Sequence, residues 1–129
     1  MYRTAVFTYH PPIEWEFDEA DELVEPGGRA LTEAIAASLT EVAGPTSPVE
    51  RHEDYGWAFA CRFGEDSFYQ VLNGAGSEGA LTIQMDWYRL KALLLRRPRA
   101  SFERYCRRVA AALASIDGVS EVRFEDYRS

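Results

Sequence analysis

The side chains with the clearest capacity for chemistry are two histidines and two cysteines. A zinc site needs several ligands at characteristic spacing, and neither His10 nor His52 has a companion at such a spacing. The run His52-Glu53-Asp54 puts three polar groups in a row, but successive residues of a strand point to opposite faces. We therefore expect both histidines at the surface or in loops, and no bound metal.

The two cysteines lie in apolar patterns that do not suit a nucleophile. A catalytic cysteine needs a base and an orienting group beside it. Cys61 alternates with Phe59 and Phe63, and Cys106 belongs to a helical apolar stripe. A buried thiol behaves as a small hydrophobe and is unreactive. We expect two free core cysteines, because a disulfide is unusual in a reducing compartment, and we assign no catalytic residue.

The glycine-rich segment Asn73–Gly79 resembles a phosphate-binding loop only in composition. A phosphate cradle requires a strand before the loop and a helix N-terminus after it. Here a strand is predicted to follow, so the phosphate interpretation fails. We expect a flexible connection between strands, and no cofactor motif remains in the chain.

Charge is distributed unevenly along the chain, whose formal net charge is −7. Residues 1–54 hold 12 acidic and 3 basic residues, a net of −9, whereas residues 89–108 hold 1 acidic and 8 basic residues, a net of +7. Nucleic-acid binding by the basic stretch is opposed by the field of the whole acidic protein. We expect the basic stretch to pair with the acidic half, within the chain or across a dimer, and we do not expect a nucleic-acid partner.

Length and hydropathy favour one domain over residues 1–129. No apolar run approaches the length of a membrane span, and the first residues lack the pattern of a signal peptide. We therefore expect a cytoplasmic protein with no membrane partner.

Apolar periodicity predicts strands and two helices. The first helix is predicted over Arg29–Ala43, and the second opens with Ser101 as its N-cap. Pro11-Pro12 should end the first strand, Asp18–Gly28 should form a solvated loop, and Gly64-Glu65-Asp66 should form a hairpin turn. The predicted strands are Arg3–Tyr9, an extended Ile13–Phe17, a short Val49–Glu53, Trp57–Phe63, Ser67–Leu72, Leu81–Trp87 and Val119–Tyr127.

Hairpin-linked strands with helices set apart from them are typical of an α+β fold. We predict a two-layer sandwich, with a mainly antiparallel sheet of five or six strands and two helices packed on one face. The apolar stripe of the second helix, which includes Tyr105, Val109 and Leu113, should cover the strand residues Phe59 and Ile83.

The face of the sheet opposite the helices, called the open face below, is the predicted ligand or partner surface. An apolar patch with a polar rim usually marks a contact surface, and we expect Arg62 to form a cross-strand ion pair with Asp86. The residues assigned to this surface are Arg62, Phe68, Gln70, Leu72, Gln84, Asp86 and Tyr88.

Two classes of function fit these observations. The first is a small, acidic, non-enzymatic interaction protein, such as an immunity- or antitoxin-like inhibitor, since charge complementarity speeds association. Its partner would be another protein or a second copy in a homodimer through the open face. The alternative is a small enzyme or ligand-binding domain with a shallow polar pocket. A pocket that holds Gln70, Gln84 and Asp86 would favour the alternative, and a flat apolar face would favour the first class.

Overall fold

The structure is a computed structural model that describes residues 2–85 and 98–126. The elements of these residues, in chain order, are β1 (Tyr2–Ile13), β2 (Glu16–Phe17), β3 (Leu23–Glu25), α1 (Arg29–Val42), β4 (Glu50–His52), β5 (Gly56–Phe63), β6 (Asp66–Met85), α2 (Pro98–Ala114) and β7 (Val119–Asp126). The predicted strand ends at Trp87 and Tyr127 lie outside the described residues, as does the segment 90–97, where the sequence allows a short helical turn before Pro98.

The main sheet has five antiparallel strands in the order β4-β5-β6-β1-β7, and β2 pairs with β3 in a separate hairpin. Strand β6 is 20 residues long. Its first part pairs with β5 and its second part pairs with β1, so it connects the two halves of the sheet. The α+β prediction is confirmed.

Both helices bury one apolar stripe in a core that they share with one face of the sheet. In α1 the stripe is Leu31, Ile35 and Leu39, at the spacing that places residues on one side of a helix. In α2 the ring of Tyr105 stacks on Phe68 of β6, with ring centroids 3.9 Å apart. Neither described helix is both long enough and apolar enough to cross a bilayer.

The start of α2 differs from the prediction. The described part of α2 starts at Pro98 and includes three residues before Ser101. Ser101 therefore lies inside the helix and is not the N-cap. Its hydroxyl donates a hydrogen bond to Asp66 Oδ2, and the two oxygens are 2.5 Å apart. This bond holds α2 against the start of β6.

Pro11 and Pro12 do not end the first strand. They lie within β1, between Thr8 and Ile13, where the register with β6 shifts. A residue without an N–H is tolerated at such an irregularity, because no ladder hydrogen bond is required there. The strand therefore continues to Ile13, which is buried.

The glycine-rich segment 73–79 is not a loop but the middle of β6. Gly79 lies against the Phe7 ring, and a Cβ at this position would come within 2.4 Å of it. Glycine is needed here for the close approach of backbone and ring. The expected loop 18–28 also differs, since it contains β3, which pairs with β2.

Candidate functional site

Two of the predicted surface residues lie on the open face as expected. Arg62 is exposed and alternates with buried Cys61 on β5, opposite Ser67. Gln84 is exposed and alternates with buried Ile83 on β6.

Three other predicted surface residues lie in the core, which corrects their placement. Phe68, Gln70 and Leu72 are each 0% exposed. Because directly paired residues of neighbouring strands share a face, the pairing of Phe68 with buried Cys61 turns this set toward the helices. Phe68 and Leu72 therefore do not contribute to an apolar patch on the open face.

The cause of this error is the length of the β5–β6 turn. Phe63 pairs with Asp66, so only Gly64 and Glu65 lie between the strands. The predicted three-residue turn shifts the pairing by one residue, and such a shift moves every side chain of the strand to the other face.

Asp86 and Tyr88 lie outside the described residues. The ion pair predicted between Arg62 and Asp86 is therefore not described either. Gln70 and Gln84 lie on opposite faces of the sheet, one buried and one exposed. A single pocket that holds both amides therefore does not form.

Gln70 forms a polar contact inside the core. Its Nε2 donates to the carbonyl oxygens of Phe59 at 3.0 Å and Phe68 at 3.3 Å, and its Oε1 accepts a hydrogen bond from the Tyr105 hydroxyl. Burial raises the pKa of Tyr105 and also that of the Cys61 thiol. Both groups are thus neutral and unreactive near neutral pH, so this cluster is structural.

The described part of the open face carries mostly small or polar residues, with exposed rings at Tyr69 and, opposite Gln84, at Tyr2. Ala58 and Ala60 of β5 lie opposite Val71 and Tyr69 of β6. Tyr69 is 40% exposed. Tyr69 is not among the predicted surface residues, because the predicted register turns Phe68 and Leu72, rather than Tyr69, toward the open face.

Two acidic segments of the chain contact each other through Arg51. Residues 14–25 contain seven carboxylates and no lysine or arginine, and residues 50–54 add three more carboxylates. Asp18 Oδ1 accepts from the backbone N–H of Ala20 at 2.8 Å and of Glu22 at 2.9 Å, which closes the β2–β3 hairpin. We call residues 14–25 and 50–54 together the acidic surface.

Arg51 joins the two segments of the acidic surface. Its guanidinium donates to the Val24 carbonyl oxygen at 2.8 Å and to Asp54 Oδ1 at 3.0 Å. Trp57 of the neighbouring strand β5, which pairs with Arg51, is buried, and its Nε1 donates a hydrogen bond to the Pro26 carbonyl oxygen at 2.9 Å. The β2–β3 hairpin is thereby fixed against the edge strand β4.

Large apolar side chains are exposed on and beside the acidic surface. Phe17 is 55% exposed, Val24 is 44% exposed and Tyr55, which follows the second segment, is 56% exposed. Exposed aromatic residues with a polar rim are typical of protein contact surfaces.

His52, Tyr55 and Tyr69 form what we call the aromatic cluster. The His52 ring centroid lies 6.1 Å from that of Tyr55 and 6.0 Å from that of Tyr69. His52 Nδ1 and the Tyr69 hydroxyl are 3.1 Å apart and share a hydrogen bond. Burial, and then the Glu50 carboxylate, raise the pKa of Tyr69. The cluster therefore connects the acidic surface to the open face.

The arginines of α2 do not pair with the acidic surface. Arg104, Arg107 and Arg108 are exposed on one side of the helix around a depression of about 320 Å³. Arg108 lies 6.0 Å from the centroid of the Phe63 ring. Within residues 2–85 and 98–126 none of the three forms an ion pair.

The described residues contain no group of histidine, cysteine or carboxylate side chains that could hold a metal ion. One shallow depression of about 360 Å³ lies where Trp15 meets β6, lined also by Val6, Glu78 and small residues. Trp15 Nε1 donates to the Gly74 carbonyl oxygen there, so the indole is already engaged.

No protein-family model, curated protein or solved structure matches this chain. The function proposed below therefore rests on the chain's own geometry and charge.

Proposed function

We propose that this chain is a small, acidic, non-enzymatic interaction protein, of the immunity- or antitoxin-like kind, that binds a basic protein through its acidic surface. The observation that carries the proposal is the contact of Arg51 with Val24 and Asp54, which fastens two acidic segments into one surface. Exposed Phe17 and Tyr55 accompany these carboxylates.

The two kinds of side chain have different roles in this proposal. The carboxylates steer a basic partner toward the surface and speed association. The exposed aromatic rings supply the buried contacts that hold the complex, because a few aromatic anchors usually carry most of the binding energy. Arg62 pairs with Ser67, which lies two residues from Tyr69 on the same face of β6, so the open face around Arg62 extends the proposed contact surface.

The geometry supports this proposal over the alternative of a small enzyme or ligand-binding domain. The alternative called for one polar pocket around Gln70 and Gln84, and these amides lie on opposite faces of the sheet. The proposed homodimer through the open face has less support than a foreign partner, because Phe68 and Leu72, on which it depended, are core residues.

A capture experiment with charge variants tests the proposal. The unmodified chain, immobilised at low salt, should retain a basic protein from extract of its own cells. The triple variant Glu19→Gln, Asp21→Asn, Glu22→Gln should lose that protein, and its Asn suits the positive φ of 59° at position 21. The triple variant Arg104→Gln, Arg107→Gln, Arg108→Gln is the matched control and should retain it.

Two results would contradict the proposal. One is equal retention of the same proteins by the unmodified chain and the acidic-residue variant. The other is an association rate of the purified pair that does not fall as salt rises, since steering between exposed charges is screened by salt.

We also propose a cytoplasmic location. Cys61 and Cys106 are both buried and neither forms a disulfide, which suits a reducing compartment.

A further inference from the structure

The aromatic cluster keeps two large rings at the surface beside an edge strand. Tyr55 is 56% exposed and Tyr69 is 40% exposed, and the half-buried His52 ring contacts both. The hydrogen bond between His52 Nδ1 and the Tyr69 hydroxyl limits the movement of the Tyr69 ring. The cluster is therefore a preorganised aromatic surface that the fold leaves accessible.

Negative charge adjoins the Tyr69 ring. Glu50 lies on the same face of β4 as His52, two residues away, and its carboxylate raises the pKa of Tyr69. Within residues 2–85 and 98–126, neither Glu50 nor Glu53 forms an ion pair, whereas Asp54 is held by Arg51. The site thus combines ring faces with carboxylates that form no ion pair within the described ranges.

This combination matches the chemistry of a guanidinium group. Arginine stacks on aromatic rings, is more weakly hydrated than lysine and forms a two-pronged hydrogen bond to a carboxylate. The chain itself contains such a contact, since the Arg29 guanidinium lies 5.1 Å from the centroid of the Trp57 ring. A lysine ammonium would gain the charge interaction but not the planar stacking.

We propose that the aromatic cluster, together with Glu50, binds an arginine side chain of the partner protein. This inference rests on the proposed function, to which it adds the kind of residue that is recognised and the place where it docks.

A small probe tests the proposal without the partner. The probe is N-acetyl-arginine amide, titrated at millimolar concentration into the isotope-labelled full chain while the NMR signals of Tyr55, His52 and Tyr69 are followed. Saturable shifts of these signals are expected. Citrulline amide, the neutral isostere, should cause none, and the lysine analogue should bind about two- to fivefold more weakly, as expected for the loss of a stacked cation contact.

Variants locate the site. Tyr69→Leu and Glu50→Gln should each weaken binding of the arginine probe by about two- to fivefold. Tyr2→Leu is the matched control, because Tyr2 is also 40% exposed but lies on β1, three strands away from β4 in the sheet. It should bind the probe like the unmodified chain.

Three results would overturn the inference: equal shifts with citrulline, equal affinity for lysine, or unchanged affinity in both Tyr69→Leu and Glu50→Gln. These outcomes are separable from the capture experiment, which depends on the acidic hairpin. A chain that captures a basic protein but ignores the probe keeps the proposed function and loses the arginine site. A chain that binds the probe but captures no basic protein keeps the arginine site and loses the proposed function.

Discussion

At the scale of single residues, the buried stripe of α2 follows directly from helical spacing. Leu113 was assigned to the core from its position in the stripe, and it is 0% exposed. We expect Leu113→Ala to lower the free energy of unfolding by about 2–5 kcal/mol, because it leaves a cavity as well as removing apolar contact. Urea denaturation measures this loss, and a value below about 0.5 kcal/mol would place Leu113 at the surface.

The contact between Tyr105 and Gln70 gives a second prediction. Tyr105→Phe leaves the buried Gln70 Oε1 without its hydrogen-bond donor, so we expect a loss of about 1–3 kcal/mol in unfolding free energy. Gln70→Met should cost more than Tyr105→Phe, because it also removes the two Nε2 hydrogen bonds to the Phe59 and Phe68 carbonyl oxygens. Urea denaturation measures both losses, and a Tyr105→Phe variant as stable as the unmodified chain would refute this account of the pair.

At the scale of elements, the register between β5 and β6 decides which face each residue occupies. Leu72 is 0% exposed, and its neighbour Val71 is half-buried on the open face. Leu72→Glu should cost about 4 kcal/mol or more, because it buries an unpaired charge. Val71→Glu should keep the chain folded. Circular dichroism and urea denaturation distinguish the two, and the reverse order would show that the register is wrong.

The attachment of α2 to β1 predicts a dependence on pH. Arg3 donates two hydrogen bonds to Glu103, at 2.8 and 2.9 Å, and this contact holds the pKa of the Glu103 carboxyl below its ordinary value. A lowered pKa stabilises the folded state at pH values above the ordinary pKa, and the stabilisation is lost as pH falls through the lowered value.

Glu103→Gln should therefore cost about 1 kcal/mol or less near neutral pH, as expected for a partly exposed ion pair. The difference in unfolding free energy between this variant and the unmodified chain should shrink as the solution is acidified below the ordinary pKa of a glutamate. Thermal unfolding over a series of acidic buffers measures it. A difference that grows on acidification would contradict the assigned direction of the pKa shift.

At the scale of the whole molecule, the net charge of −7 and the acidic surface predict self-repulsion at low salt. The triple variant Glu19→Gln, Asp21→Asn, Glu22→Gln has a net charge of −7 + 3 = −4. We expect it to be more stable by about 0.5–1 kcal/mol at low salt, given about 0.2–0.5 kcal/mol for each pair of like charges. The gain should vanish at roughly 0.5 M salt, where exposed charges are screened. Thermal unfolding in a salt series measures this, and a gain that persists at high salt would require a different cause.

The sequence by itself determined α1, most of α2, several of the strands and much of the core. The stripe of α1 and the alternation of Trp57 with Phe59 are local patterns, and burial of one face enforces them. The same patterns identified Cys61 and Cys106 as core residues, and both are buried.

Only the tertiary structure decided which residues meet at the candidate site. The β5–β6 turn is one residue shorter than predicted, so Phe68 faces the core and Tyr69 faces the open side of the sheet. The change follows because side chains alternate strictly along a strand. The contact of Arg51 with Val24 joins segments 27 residues apart, and no local pattern encodes it. Periodicity shows which side of a helix or strand is buried. A surface consists of several segments, and which of them are neighbours depends on the packing of the whole chain.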